Sequence, residues 1–218
     1  MYQRKYFVKI NQDRKQKFLY YVLDDINLNG WSKNFFDSYS REGIFTNNEI
    51  RVFFPNGRAD FLRYWFDISE KLMLEDLSKV EIQELKVREK IKKIIRVRLE
   101  RWKSYKVAIK RTLPILIMPS SDTLLSCSLM KTSDSIWKSA GDRSVDFNFY
   151  TKRGLLLGVY STTLIFWLDD NSKDDQKTWE FLDRRVEEVL QIPKVKTRIN
   201  ETLHRIIKNL TNISKKAS

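Results

Sequence analysis

Asp134-Ser-Ile-Trp-Lys-Ser-Ala-Gly-Asp-Arg-Ser-Val-Asp146-Phe-Asn-Phe-Tyr-Thr-Lys-Arg153-Gly-Leu-Leu-Leu-Gly-Val-Tyr-Ser-Thr-Thr-Leu-Ile-Phe-Trp-Leu168 decides how the rest of the chain is read. Its first half mixes charge with large aromatics, and its second half carries no charge between Arg153 and Asp169. Gly141-Asp142 with Ser144 predicts a helix end, a tight turn and a new N-terminus. Asp146 then falls at the cap or in the first turn, where a carboxylate is favoured. The uncharged residues 154–168 are too few for the ~20 that a membrane-spanning helix needs, which predicts a helix buried in protein. At the front of that helix Phe149, Tyr150 and Arg153 fall at spacings that bring them to one side, one turn after Asp146. Aromatics beside Arg and Asp have the composition of a docking surface. The same spacing also suits a capped helix whose aromatics pack inward.

Outward from that stretch, 218 residues suffice for a full core as one domain or a small-plus-large pair. Six glycines and four prolines against many aromatics favour helices with short loops. A net charge of +13 implies an anionic partner, nucleic acid or a membrane surface. The single cysteine, Cys127, excludes an internal disulfide, and its apolar surroundings predict a buried, inert thiol. One histidine, His204, cannot build a His-based metal site, and no metal ligand set is expected. A helical pattern from Asn11 leaves no room for a targeting segment, so a bacterial cytoplasmic protein is expected.

Phe18, Val22 and Ile26, with Leu19 and Leu23, form one apolar helix face that ends near Gly30. Ser32 starts a short helix carrying Phe35, Phe36 and Tyr39. Thr46 and Glu49 have the offset of a capping box that starts a third helix. A longer helix from Arg58 turns Phe61, Leu62, Trp65, Ile68 and Leu72 inward. This frame resembles the helix-turn-helix domain of TetR-type repressors, whose third helix enters the major groove. Here that face carries Asn47, Asn48, Glu49 and Arg51; a carboxylate facing a DNA backbone costs affinity, although Glu49 can fold back on its own cap.

From Glu84 to Arg111 twelve cations face three carboxylates along one amphipathic helix, either a solvated face or a surface that meets phosphates. Residues 113–119 and 124–130 are apolar segments broken by Pro114, Pro119 and Asp122. Asp169 to Asp175 reads as a polar turn whose carboxylates cap the next helix, with Trp179, Leu182, Val186 and Leu190 inward. After Pro193, Val195, Ile199, Leu203, Ile206, Ile207 and Leu210 make one face of a cationic amphipathic helix, which reads as a membrane-surface helix or as a last helix packed on its own domain.

Trp137, Ala140-Gly141-Asp142, Ser144, Asp146-Phe147-Asn148-Phe149-Tyr150-Thr151 and Arg153, flanked by Met118-Pro119 and Thr178-Trp179-x-Phe181-Leu182-x-x-Arg185-Val186, resemble the coenzyme Q biosynthesis protein nine family. Its members are lipid-binding accessory proteins of ubiquinone synthesis with a TetR-like fold. The resemblance implies an all-α chain of three parts: a degenerate helix-turn-helix domain at 1–57, a helical lipid-binding and dimerisation domain at 58–192, and an amphipathic membrane helix at 193–218. It implies a homodimer, a bound lipid or isoprenoid with no other cofactor, and attachment to an anionic membrane. That membrane is the bacterial inner membrane, or the matrix side of the inner mitochondrial membrane in eukaryotic relatives. It implies delivery of quinone precursors to a di-iron demethoxyubiquinone hydroxylase through Asp134, Asp146, Phe149, Tyr150 and Arg153. Phe149 stands where the family usually has Trp. In the ligand cavity Met118, Met130, Trp137, Tyr160, Phe166 and Trp167 would suit a greasy tail, although ordinary core packing suits each of them too. With no phosphate loop, nucleophile–base pair or metal cluster in the sequence, an enzyme is not expected. The other reading is a ligand-responsive TetR-type DNA-binding regulator, with specific DNA binding weakened by the α-helical reading face just described.

Overall fold

The computed structural model describes residues 2–40, 44–117, 122–141 and 147–189. Met118, Asp146, the side chains of Phe149 and Tyr150, His204, and the expected membrane helix with Val195, Ile199, Leu203, Ile206, Ile207 and Leu210 lie outside the described residues. The described residues form helices without a strand: α1 (Tyr2–Asn29), α2 (Phe35–Tyr39), α3 (Asn47–Phe53), α4 (Arg58–Leu77), α5 (Val87–Arg101), α6 (Lys106–Leu116), α7 (Asp122–Ser139), α8 (Phe147–Asp169) and α9 (176–189).

The first three helices gather around one ring. Phe18 of α1 is fully buried, with Phe45, Phe54 and Phe35 at centroid distances of 4.9, 5.5 and 6.2 Å. Most of these contacts are edge-on, the arrangement aromatic quadrupoles favour. Leu19, Val22, Leu23 and Ile26 extend the same buried face, as the four-residue spacing predicts. Gly30 ends α1 at φ +84°, a conformation that costs glycine little. Thr46 and Glu49 form the expected capping box at the start of α3. Glu49 does fold back onto its cap, and the ion pair it makes with Arg14 of α1 ties that carboxylate down further. The hydrogen bonds from Arg14 hold the Glu49 carboxyl below its ordinary range.

The single basic helix expected over 84–111 is two helices. α5 stops at Trp102, a short 3-10 turn covers Lys103–Tyr105, and α6 restarts at Lys106. Asn27 of α1 holds the break open: its Oδ1 accepts from the Ala108 N–H at 2.8 Å, and its Nδ2 donates to the Ser104 carbonyl at 2.8 Å. Trp102 fills the corner against Trp65 and Tyr105. Side-chain partners on another element set this break, and periodicity within the segment carries no trace of them.

The basic surplus is largely answered inside the chain. Lys92 pairs with Asp183 at 3.2 Å and, like Arg88, with Glu187 at 3.6 Å, both on α9. Arg96 lies over the Trp179 ring at 4.9 Å. Arg101 pairs with Asp76, Lys103 and Lys106 with Asp175, and Lys110 with Asp169. Arg111 donates to the Ile26 carbonyl at 2.7 Å, which closes α6 on the end of α1. Several cations of the segment are thus held by carboxylates on other elements of the fold.

Two further expectations are corrected. α8 is not enclosed in the single chain, because Gly154, Gly158, Thr162, Ile165 and Phe166 are exposed along one side. Cys127 is exposed as well, on the outer side of α7. Of the carboxylates expected to cap α9, Asp170 makes the bonds. Its Oδ2 accepts from the Thr178 N–H at 2.9 Å and the Thr178 hydroxyl at 2.6 Å, and its Oδ1 accepts from the Ser172 N–H at 2.8 Å.

Burial alone would raise the Asp170 pKa, but these hydrogen bonds outweigh it and hold the carboxyl far below its ordinary value. A depressed folded pKa gives stability that is complete above the unfolded carboxyl value of ~4 and is lost as the pH falls towards the folded one. Asp170→Ala is expected to cost about 2 kcal/mol at neutral pH. It should also flatten the fall in melting temperature below pH ~4; an unchanged acid profile in thermal melts would contradict the assignment.

Candidate functional site

Helices α4 to α8 line a partly open cavity of about 90 Å³ whose wall is mostly apolar: Trp65, Leu99, Trp102, Leu116, Leu129 and Leu164 among others. It is well below the ~300 Å³ at which pockets for drug-sized ligands begin. In this state it takes the end of a hydrocarbon chain and no more. At one end of the cavity lies Arg98, 5 % exposed. Its Nε donates to Tyr160 Oη at 3.1 Å, one terminal nitrogen to Thr132 Oγ1 at 3.0 Å, and the other to Glu70 Oε2 at 3.0 Å. Burial alone would lower the Arg98 pKa, but its interactions with Tyr160 and Glu70 outweigh burial and hold it above the ordinary value. Four helices therefore meet on one buried cation: Glu70 of α4, Arg98 of α5, Thr132 of α7 and Tyr160 of α8.

The second feature is a clasp between the end of α7 and the start of α8. Arg153 is 3 % exposed, and its Nε donates to Asp134 Oδ1 at 2.8 Å. The other Asp134 oxygen pairs with Lys138 at 2.6 Å. Trp137 donates its indole N–H to the Lys152 carbonyl at 2.9 Å, and the Ser133 hydroxyl donates to the Arg153 carbonyl at 2.8 Å. The helix then ends at Gly141, whose φ is +94°.

These contacts redistribute the expected site residues. Arg153 is buried and holds Asp134 across the helix pair; its spacing fits an inward staple as well as an outward one. Of the six expected lipid contacts, Tyr160 lines the cavity. Trp137 is buried in the clasp, and Trp167 is fully buried beneath Lys106, whose ammonium lies 4.7 Å from its ring. Met130 is exposed, and Phe166 stacks on Phe181 of α9 at 4.6 Å with its other face outward. Neither lines the cavity.

Arg98, Thr132 and Glu70 were missed as site residues. Arg98 is three and four residues from Ile95 and Ile94, on the apolar stripe of its helix. A cation at a buried stripe position was the available signal.

In fold, the chain is similar to the TetR transcriptional regulator of Nitrosomonas europaea, with a TM-score of 0.67 over 81 % of this chain and 97 % of that one at 17 % identity. The likeness establishes the all-α TetR-like architecture. The clasp and the helices on either side of it are what the family comparison finds. Residues 123–193 match the COQ9 family. The probable ubiquinone biosynthesis protein coq9 of Dictyostelium discoideum is 35 % identical over 135 residues, covering 62 % of this chain and 41 % of that protein. The COQ9 protein of Rattus norvegicus is 34 % identical over 100 residues, covering 46 % and 32 %. The chain thus spans less than half the length of these COQ9 relatives, both of which are described as mitochondrial. Among the described residues no helix is long and apolar enough to cross a membrane.

Proposed function

We propose that the chain is a lipid-binding accessory protein of ubiquinone biosynthesis, which handles an isoprenoid or quinone precursor and leaves the chemistry to another protein. The observation that carries the reading is the apolar cavity between α4 and α8, in a chain whose COQ9-like segment supplies two of its walls. Sequestering a water-insoluble substrate in such a space lowers the cost of moving it between membrane and active site. The cavity widens to take more than a chain end, and the gap between α4 and α7 is the place for it. There the exposed Asp67–Lys131 pair, at 3.4 Å, bridges the two helices. An exposed pair of this kind holds with at most ~1 kcal/mol.

In this reading residues 193–218 lie on an anionic leaflet, with basic side chains contributing roughly 1 kcal/mol each. The exposed side of α8 and the stacked Phe166–Phe181 pair form a homodimer seam. The head of α8, with Asp146, Phe149 and Tyr150, meets the di-iron hydroxylase, and the Asp134–Arg153 staple beneath it holds that surface in place. A DNA-reading role is disfavoured because Glu49 is held on α3 by Arg14, while Arg51 lies over the Phe36 ring at 4.2 Å.

A chain lacking residues 193–218 is expected to lose sedimentation with vesicles rich in anionic lipid. Equal sedimentation of the two chains would end the membrane claim. Tyr150→Ala is expected to weaken hydroxylase capture about tenfold or more while leaving the melting temperature in place. A large fall in melting temperature would instead assign that ring to the core.

A further inference from the structure

Three residues that line the cavity carry hydrogen-bond donors with no acceptor among the described residues. Arg98 donates to the oxygens of both Tyr160 and Thr132, so each hydroxyl already serves as an acceptor and its own proton must go elsewhere. The hydrogen bonds of the described residues give neither proton an acceptor. The third donor is the indole N–H of Trp102, a residue 5 % exposed whose Nε1 is buried and unpartnered. Tyr160, Thr132 and Trp102 all line the same cavity. Two other polar groups of the wall are satisfied: the Thr112 hydroxyl donates to the Ala108 carbonyl at 2.7 Å and accepts from Trp31 at 3.0 Å, and Ser69 donates to the Trp65 carbonyl at 2.6 Å. A buried acceptor nearby, Glu70 Oε1, is also unpartnered, but Glu70 is not part of the wall.

An unmet buried donor costs about 1–3 kcal/mol. A wall with three of them is built for something that accepts. Water satisfies such a wall poorly, because each molecule brings two protons of its own. A second anion has no unbalanced cation to meet, since Glu70 already faces Arg98.

We propose that the cavity is a site for an uncharged, largely hydrocarbon ligand whose buried end carries acceptor oxygen without a proton, such as a ketone, quinone carbonyl, ester or ether. The oxygenated end sits against Tyr160, Thr132 and Trp102, and the hydrocarbon lies along Leu99, Leu116, Leu129 and Leu164. The proposal rests on the reading of the cavity as a lipid site and adds to it the chemistry and direction of what enters.

The test uses two probes of one shape, decan-2-one and 2-methyldecane, titrated into the 218-residue chain and followed by its tryptophan fluorescence, to which Trp65 and Trp102 of the wall contribute. Each affinity is referred to the probe's own partition into hexadecane, where no hydrogen bond is offered. The ketone is expected to be favoured by about tenfold or more on this scale. Tyr160→Phe and, separately, Trp102→Phe should each cut that preference to about threefold or less while 2-methyldecane still binds. Trp102→Phe removes a donor that has no partner, so it guards against the case where Tyr160→Phe disturbs Arg98 and the fold. Equal scaled affinities for the two probes in the unaltered protein would overturn the proposal and leave the lipid-site reading standing. Binding of neither probe would overturn both.

Discussion

Arg98→Met is expected to lower the stability of the chain by about 3 kcal/mol, near the bottom of the range for breaking a buried ion pair. The side chain of Arg98 is 6 % exposed and that of Glu70 is 24 % exposed, so the carboxylate left behind keeps some access to water. The larger part of the loss comes from three helices that lose their common donor. Tyr160, Thr132 and Glu70 each give up a hydrogen bond of 3.0 to 3.1 Å at once. For a chain of this size the melting temperature should fall by roughly 6–12 °C. Arg98→Met combined with Glu70→Met should recover much of the loss, because removing both charges leaves no unpaired ion in the interior. A fully additive double variant would show that the pair is not coupled.

Arg153→Met carries the second large effect, about 2–3 kcal/mol, because it strips the buried partner from Asp134 at the point where α7 hands over to α8. Lys138 remains beside Asp134 but is largely exposed and replaces little of the interaction. The variant should melt early and should also lose hydroxylase capture, since the front of α8 is no longer held. This separates it from Tyr150→Ala, for which capture falls and stability does not. Were Arg153→Met to keep full stability and lose capture alone, Arg153 would be a contact residue and the clasp would be the wrong account of it.

Much of the frame was legible in the sequence because it depends on local rules. The four-residue spacing from Phe18 to Ile26 fixes the buried face of α1. Glycines at 30 and 141 mark real helix ends because φ there is positive, and Thr46 with Glu49 caps α3 through bonds made within one turn. The break at Trp102 was not legible, since it depends on Asn27, some eighty residues away in sequence. The role of the cations at 86–111 was hidden for a similar reason. Their count was plain, but the carboxylates of α9 that answer several of them belong to a helix read separately. For the site the division is sharper. Tyr160 was named for its bulk, and its value lies in one hydroxyl held by Arg98. Trp137 and Arg153 were recognised through the resemblance, but side-chain spacing alone could not say whether Arg153 points inward or outward.

The central claim, that the cavity between α4 and α8 holds lipid, is tested most directly by native mass spectrometry of the 218-residue chain beside Leu164→Trp, which fills that space from α8. The unaltered protein is expected to carry one or more lipid- or isoprenoid-mass adducts released by mild activation, and Leu164→Trp, folded by circular dichroism, to carry far less. Adducts of equal abundance on both proteins would contradict the claim, as would an unaltered protein that carries none when expressed in cells making isoprenoid quinones.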